Sequence, residues 1–119
     1  MDILEINDLK ISTIIGTYPW EQQVQQTLRF DIKIATDAAR AASHDDLSLA
    51  IDYAAITEYL KVKLSQQKFK LLETVAEITA QQLLENFSIS WLRLAVTKFQ
   101  PIKDLAAVTI TIERQPNNP

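Results

Sequence analysis

The sequence predicts a single α+β domain whose elements run in the order ββααββ. Two observations predict it: four stretches alternate apolar and polar residues as strands do, and two longer stretches between them have helical periodicity. The length of 119 residues, with no repeat or linker, is that of one domain, residues 1–119. Four amphipathic strands form an antiparallel sheet with one face to cover, and two helices can cover it.

The strands are predicted from apolar residues at alternate positions, which is the period of a half-buried strand. The first is extended from Asp2 to Ile15, and the second starts near Gln25 after a loop from Gly16 to Trp20. The apolar sets are Leu9, Ile11, Thr13 and Ile15; Leu28, Phe30, Ile32 and Ile34; Leu92, Leu94 and Val96; and Val108, Ile110 and Ile112.

The first long helix is predicted to begin at Asp52, because Asp is a favourable N-cap residue. Tyr53 then lies in its first turn, and Ile56, Leu60 and Leu64 form its buried stripe. The polar, Ala-rich segment before it predicts one short helical turn ahead of the Asp45-Asp46 pair.

The second long helix is predicted from about Leu71 to Phe87. Glu73 falls at the edge of its apolar stripe, whereas Glu77 and Gln81 point away from it. A carboxylate in the first turn stays ionised beside free backbone N–H groups, so Glu73 suits a cationic or amide-like edge of a small ligand. Simple complementation of the helix dipole is the alternative. The stripe consists of Leu72, Val75, Ala76, Thr79 and Leu83.

The composition excludes several classes of function. The net charge is −3, with 12 basic and 15 acidic residues and no basic patch, which argues against a nucleic-acid partner. The chain has no Cys, so disulfide and thiol chemistry are excluded. No signal-peptide pattern or apolar run long enough to cross a membrane is present, and we expect a soluble cytoplasmic protein.

Two residue counts narrow the chemistry further. His44 is the single His, so a zinc site of the usual N/S type cannot form within one subunit, and His44 itself lies in a polar turn. Gly16 is the single Gly, which excludes a P-loop and a G-x-G-x-x-G turn. Any catalysis must therefore rest on Lys, Glu, Asp and Tyr, and we expect neither a metal nor a cofactor.

Lys98 is the unusual residue of the third strand. Alternation places it on the face of Leu92, Leu94 and Val96, which should be apolar. A partly dehydrated Lys can serve as a general acid or base. Alternatively, its ammonium group reaches water at the strand end. Considered alone, Glu21 is most simply a solvated loop carboxylate.

Six short segments resemble the dihydroneopterin aldolase family in order and spacing, and the resemblance covers nearly the whole chain. It implies the tunnelling fold, in which ββααββ subunits join their sheets into a barrel, rings stack in pairs, and active sites lie between neighbouring subunits. The two open edges of so small a sheet likewise predict a homo-oligomer, and the resemblance implies that it is a tetramer or an octamer. The segments are Trp20-Glu21-Gln22, Phe30-Asp31-Ile32, Asp45-Asp46-Leu47, Ile51-Asp52-Tyr53-Ala54, Leu71-Leu72-Glu73 and Val96-Thr97-Lys98.

The resemblance implies which residues bind the substrate. Glu73 would accept hydrogen bonds from the two adjacent N–H donors on the 2-amino-4-oxo edge of a pterin ring. Backbone groups near Ile51 and Leu72 would also contact the pterin.

The resemblance also implies the reaction, a metal-free retro-aldol cleavage of 7,8-dihydroneopterin in folate biosynthesis that could also epimerise the side chain. Lys98 would be the general acid/base, acting with an ordered water. Tyr53 from the adjacent subunit would take part in proton transfer, and Glu21 would hold Lys98 or the substrate hydroxyls. The segment from Phe99 to Asp104 lacks the Gly that this family usually has after the Lys, so no role is transferred to it.

Two other functions fit the same residues. A dihydroneopterin triphosphate epimerase has a similar scaffold and would need cations for the triphosphate, for which Lys68, Lys70 and Lys103 are candidates. A non-catalytic oligomeric module that binds a pterin or purine ring would bind ligand without turnover.

Overall fold

A five-stranded sheet forms the centre of the fold within residues 1–116, the part of the chain that the computed structural model describes. The α+β class and the ββααββ order of the long elements are confirmed. A frayed polar tail is predicted from Gln115 onward, and residues 117–119 lie outside the described part. The elements are β1 (Asp2–Ile15), β2 (Gln26–Thr36), α1 (Ala38–His44), α2 (Tyr53–Ser65), β3 (Lys68–Phe69), α3 (Leu72–Asn86), β4 (Leu92–Phe99) and β5 (Ala107–Arg114), with 3-10 turns at Glu21–Gln23 and Leu47–Leu49.

The strand order across the sheet is β3-β1-β2-β4-β5. Neighbours among β1, β2, β4 and β5 are antiparallel, as predicted. The prediction of a purely antiparallel sheet is wrong at one edge, because β3 pairs in parallel with Ile14 and Ile15 of β1. A two-residue strand has no periodicity that a sequence pattern could reveal. The β5 side and most of β1 remain open edges within the described residues.

The core lies between the inward face of the sheet and the two long helices. Leu28, Phe30, Ile32 and Ile34 are fully buried, as the alternation predicts. Burying one such side chain stabilises the folded protein by roughly 1.5–3 kcal/mol. The helical stripes are buried too: Ile56, Leu60 and Leu64 from α2, and Leu72, Val75, Ala76, Thr79 and Leu83 from α3.

An irregularity interrupts β1, which the sequence predicts as continuous. The pairing with β2 shifts between Ile6 and Leu9, and Asp8 takes a left-handed conformation with φ 58°. The Asp8 N–H donates to Asp31 Oδ1 at 2.9 Å, which supports this conformation. The shift allows both Ile6 and Leu9 to pack against the core, although strict alternation would separate them.

The ends of the two long helices lie where the sequence predicts them, to within one residue. Asp52 accepts a hydrogen bond from the Ala55 N–H at 3.0 Å, which confirms it as the N-cap of α2. Glu77 lies outside the buried stripe of α3, as predicted, and forms an ion pair with Arg114 of β5 in which both side chains are more than 40% exposed. No helix within residues 1–116 has the length and apolar character needed to cross a membrane.

Candidate active site

Lys98 lies on the inward face of β4, where the alternation places it. It is paired across the sheet with the buried Leu28 of β2, and it follows Leu92, Leu94 and Val96 on the same face. Only 13% of its side chain is exposed. The ammonium group therefore sits at the end of the core rather than in bulk water.

Glu21 is the partner of Lys98. The Lys98 Nζ lies 2.6 Å from Glu21 Oε2, and only 5% of the Glu21 side chain is exposed. The interpretation of Glu21 as a solvated carboxylate is therefore wrong. The 3-10 turn after the β1 loop directs this side chain inward, and a loop sequence contains no periodic signal of such a turn.

Three donors surround the Glu21 carboxylate. Besides Lys98, Gln26 Nε2 donates to Oε2 at 3.1 Å and the Tyr18 N–H donates to Oε1 at 3.3 Å. Burial raises the pKa of Glu21, but the hydrogen bonds from Lys98, Gln26 and Tyr18 outweigh burial, and the pKa is lowered from its ordinary value. Glu21 is thus ionised at neutral pH and faces an ammonium group.

Gly16 leaves the space that Glu21 occupies. A Cβ atom at position 16 would lie 2.1 Å from Glu21 Cδ, and the φ of +138° is one that other residues rarely adopt. The single glycine of the chain is therefore explained by both its conformation and its contact with the site.

Gln22 joins the β1 loop to the segment before α3. Its Nε2 donates to the Gly16 carbonyl at 2.6 Å and to the Phe69 carbonyl at 2.9 Å. The Gly16 N–H also donates to the Phe69 carbonyl, at 3.1 Å. The start of α3 is thereby fixed at the same end of the sheet as the Lys98–Glu21 ion pair.

The predicted substrate-binding residues Leu72 and Glu73 lie in the first turn of α3. Leu72 is buried in the core, whereas Glu73 is exposed. The N-cap residue Leu71 makes no side-chain capping bond, so the N–H groups of the first turn are left without a side-chain acceptor. An adjacent groove is lined by residues that include Thr17, Lys68, Lys70, Leu71 and Thr74.

Ile51 and Tyr53 lie at the opposite end of the sheet. Ile51 lines a groove with Ala35 and Thr36, at the end of β2 distant from Leu28. Roughly 20 Å of strand separates these ends, at about 3.3 Å per residue. Tyr53 begins α2 and is 62% exposed. Within one chain, the structure therefore joins Lys98 with Glu21 but does not bring Ile51 or Tyr53 to them.

Three residues of this region have no role in the sequence-based prediction: Gly16, Gln22 and Gln26. The run Glu21-Gln22-Gln23-Val24-Gln25-Gln26 contains several identical amides, and the sequence does not distinguish those that turn inward. The sequence does mark Gly16, because a glycine directly after a strand indicates a backbone conformation that other residues rarely adopt. Among residues 1–116, no group of three or more His, Cys, Asp or Glu side chains is arranged to hold a metal ion.

Comparison with known proteins assigns the family. The sequence model of the FolB, dihydroneopterin aldolase, family matches residues 4–113. The chain belongs to the dihydroneopterin aldolase family. The resemblance identified from the six sequence segments is thereby confirmed.

Individual members of the aldolase family match over nearly their full length. The dihydroneopterin aldolase of Escherichia coli (strain K12) is 39% identical over 117 residues, covering 98% of this chain and 96% of that protein. The crystal structure of the Escherichia coli aldolase in complex with neopterin superposes with a TM-score of 0.91, covering 96% of this chain and 99% of that one. The crystal structure of a putative dihydroneopterin aldolase from Vibrio cholerae gives a TM-score of 0.94 at 36% identity, covering 98% of both chains.

The family also has a more distant relative with another name. The dihydroneopterin triphosphate 2'-epimerase of Pseudomonas aeruginosa is 25% identical over 109 residues, which is 92% of this chain and 89% of that protein. The structural matches to aldolases confirm the predicted tunnelling-type fold for one subunit.

Proposed function

We propose that this enzyme cleaves 7,8-dihydroneopterin into 6-hydroxymethyl-7,8-dihydropterin and glycolaldehyde, a step of folate biosynthesis. The observation that carries the proposal is the Lys98–Glu21 ion pair, which is held at the end of the core in a member of the aldolase family. A cytoplasmic location stays a prediction.

The reaction needs only proton transfer and positioning. Removal of the proton from the hydroxyl on the second side-chain carbon allows the bond between the first and second carbons to break. The electron pair moves into the C=N bond of the pterin ring, and glycolaldehyde leaves. The resulting enamine is then protonated at the first carbon. Because the ring itself accepts the electrons, the reaction requires neither a Schiff base nor a metal ion.

Lys98 and Glu21 divide this work. Lys98, with its ammonium group largely withdrawn from solvent, acts as the general acid/base through an ordered water molecule. Glu21 is ionised, so it orients the Lys98 ammonium group and can accept hydrogen bonds from the side-chain hydroxyls of the substrate.

Glu73 and Leu72 bind the pterin ring. The exposed Glu73 carboxylate, in the first turn of α3, can accept two parallel hydrogen bonds from the 2-amino and ring N–H groups. The backbone N–H groups beside Leu72 have no side-chain acceptor, so they can donate hydrogen bonds to a ligand. The site thus offers a hydrogen-bond acceptor, the Glu73 carboxylate, beside donors, the backbone N–H groups near Leu72. This is the pattern that the edge of a pterin ring requires.

A neighbouring subunit completes the site. Tyr53 and Ile51 lie at the far end of the same sheet, so in a ring of subunits they would reach the Lys98 of an adjacent chain rather than their own. The open edges along β1 and β5 support the joining of subunits through their sheets. We therefore propose a homo-oligomer, a tetramer or an octamer, with Tyr53 donating or accepting a proton across the interface.

A triphosphate epimerase is the second candidate. Lys68 and Lys70 both line the groove beside the start of α3, where they could contact a phosphorylated side chain. The retro-aldol step is reversible before glycolaldehyde leaves, so one site can in principle catalyse both reactions.

A product assay separates the candidates. The enzyme is incubated with 7,8-dihydroneopterin and, separately, with its triphosphate, both in the presence of a strong chelator, and the products are identified by chromatography. Glycolaldehyde and hydroxymethyldihydropterin from the unphosphorylated compound are the expected result. Epimerisation of the triphosphate alone would favour the epimerase. Ligand binding without any product would favour a binding module, and activity that returns only with added metal would contradict the metal-free mechanism.

A further inference from the structure

The side chain of Gln26 bridges the sheet and the carboxylate of Glu21. Its Nε2 donates to the Ile15 carbonyl at 2.8 Å and to Glu21 Oε2 at 3.1 Å. Both neighbours only accept hydrogen bonds, so the amide nitrogen, not the oxygen, belongs at this position. The amide therefore uses both of its N–H groups between β1 and the site.

We propose that Gln26 is a positioning residue for the reaction: it keeps the Glu21 carboxylate directed at Lys98. The inference rests on the proposed function, in which this carboxylate orients the acid/base. No hydrogen bond joins Gln26 to Lys98 among the described residues, and both donate to Glu21 Oε2, so Gln26 acts through Glu21.

The position of Gln26 makes it a rigid support. It is the first residue of β2 and is paired across the sheet with the buried Thr13. The second acceptor of its Nε2 is the carbonyl of Ile15, a residue that is 1% exposed and ends β1. Glu21, by contrast, belongs to a 3-10 turn of three residues. Gln26 thus connects the short turn to two fixed points of the sheet.

One oxygen of Glu21 receives both side-chain donors. Lys98 and Gln26 both donate to Oε2, while Oε1 receives the Tyr18 N–H. Loss of the Gln26 donor would leave a buried carboxylate with fewer hydrogen bonds, which favours its protonated form. The carboxyl group would also be freer to rotate away from Lys98. The charged group in contact with Glu21 among the described residues is Lys98.

Neighbouring glutamines provide matched controls. Gln22 is also half-buried and also donates twice, but to the carbonyls of Gly16 and Phe69 rather than to Glu21. Gln25 is exposed. The same substitution, Gln to Met, removes an amide of similar length at each position. If disturbance of the loop alone alters the enzyme, Gln22→Met should show the same change as Gln26→Met. If the change comes from the Glu21 carboxylate, only substitution of Gln26 should produce it.

The test compares the pH dependence of turnover in wild type, Gln26→Met, Gln22→Met and Gln25→Met. Gln26→Met should lower kcat about 10-fold to 100-fold near neutral pH, with the acidic limb of the profile moved to higher pH. Gln26→Glu should move the limb in the same direction, because a second carboxyl group then faces Glu21. In both control variants the limb should stay at the wild-type pH. A wild-type limb in the Gln26 variants, or an equal displacement in Gln22→Met, would overturn the proposal.

A measurement without substrate separates this inference from the proposed function. The Glu21 carboxyl resonance, assigned by its loss in Glu21→Gln, is titrated by carbon-13 NMR in wild type, Gln26→Met and Gln26→Glu. A midpoint at higher pH in the Gln26 variants supports the positioning role even if the enzyme proves to have another substrate. An unchanged midpoint in a folded Gln26 variant refutes it even if the aldolase reaction is established.

Discussion

Lys98 and Glu21 are 77 residues apart in the chain, and their charged atoms lie 2.6 Å apart. The contact depends on the register of two strands, because β4 places Lys98 opposite Leu28 of β2. The turn that carries Glu21 immediately precedes β2. The ion pair is thus a property of the sheet register rather than of any local motif.

Replacement of Lys98 should strongly reduce turnover without unfolding the protein. Lys98→Ala should lower kcat by about 10²-fold to 10⁴-fold, since it removes the acid/base. It should also lower the free energy of unfolding by about 1–3 kcal/mol, because Glu21 remains buried without its partner. Steady-state kinetics and urea unfolding measure the two effects. Arg93→Ala, an exposed position on the other face of β4, is the control, and wild-type kcat in Lys98→Ala would remove Lys98 from the mechanism.

Replacement of Glu73 should weaken pterin binding. Glu73→Ala loses the charged acceptor for the ring edge, and the dissociation constant measured by calorimetry with 6-hydroxymethylpterin should rise about 10-fold to 100-fold. Because Glu73 is exposed, the thermal midpoint should change little. Glu85→Ala, exposed in the last turn of the same helix, should bind like wild type. Unchanged affinity in Glu73→Ala would assign the ring edge to another residue.

Mixed oligomers test whether subunits share the site. Lys98→Ala and Tyr53→Ala should each be nearly inactive alone. When the two are unfolded together and refolded, some interfaces combine an intact Lys98 with an intact Tyr53, and part of the activity should return. Two variants refolded separately and then mixed serve as the control. Continued inactivity of properly assembled mixtures would indicate that both residues act within one chain.

Stability should depend on the ionisation of Glu21. Its pKa in the folded protein is below the ordinary value of 4.5, so the stabilisation is present above about pH 4.5 and is lost as the pH falls from there through the folded pKa. Urea unfolding between pH 3 and pH 7 should show this loss in wild type and a flatter dependence in Glu21→Gln. The pKa of Asp46 is also lowered, by the Ser48 N–H and hydroxyl. Because Asp46 is present in both proteins, its contribution cancels when the two curves are compared. If the free energy of unfolding fell in parallel in wild type and Glu21→Gln, the assignment of this pH dependence to Glu21 would be wrong.

A methyl group at position 16 should displace Glu21. Gly16→Ala introduces a Cβ into the space of the carboxyl group and strains the backbone by roughly 1–3 kcal/mol. We expect a marked loss of kcat in addition to a lower thermal midpoint. Gly16→Ala with wild-type kcat would mean that the carboxylate need not occupy its present position.

The sequence predicts most of the fold because periodicity is a collective signal. Alternation over many residues identifies the inward face of β2, and it correctly places Lys98 on the inward face of β4. The buried stripes of both long helices follow from the same reasoning. Such patterns repeat the burial preference at every second or every third to fourth position, so single exceptions do not hide them.

Features that depend on one or two residues are not predictable in this way. Strand β3 has two residues, and the irregularity at Asp8 places a non-glycine residue in a left-handed conformation. The inward direction of Glu21 results from a short turn and from partners that are distant in sequence. No local composition distinguishes Gln26, which contacts the carboxylate, from Gln25, which is exposed.

The central position of β2, between β1 and β4, has a consequence for the order in which the protein matures. The ribosome synthesises Glu21, Tyr53 and Glu73 well before β4. Pairing β4 with β2 closes a long loop from Leu28 to Lys98, and such non-local strand pairing is among the slower steps of folding. A nascent or truncated chain that lacks β4 therefore contains three of the four proposed site side chains but not the ion pair. Catalytic competence therefore requires that β4 has been synthesised and has paired with β2.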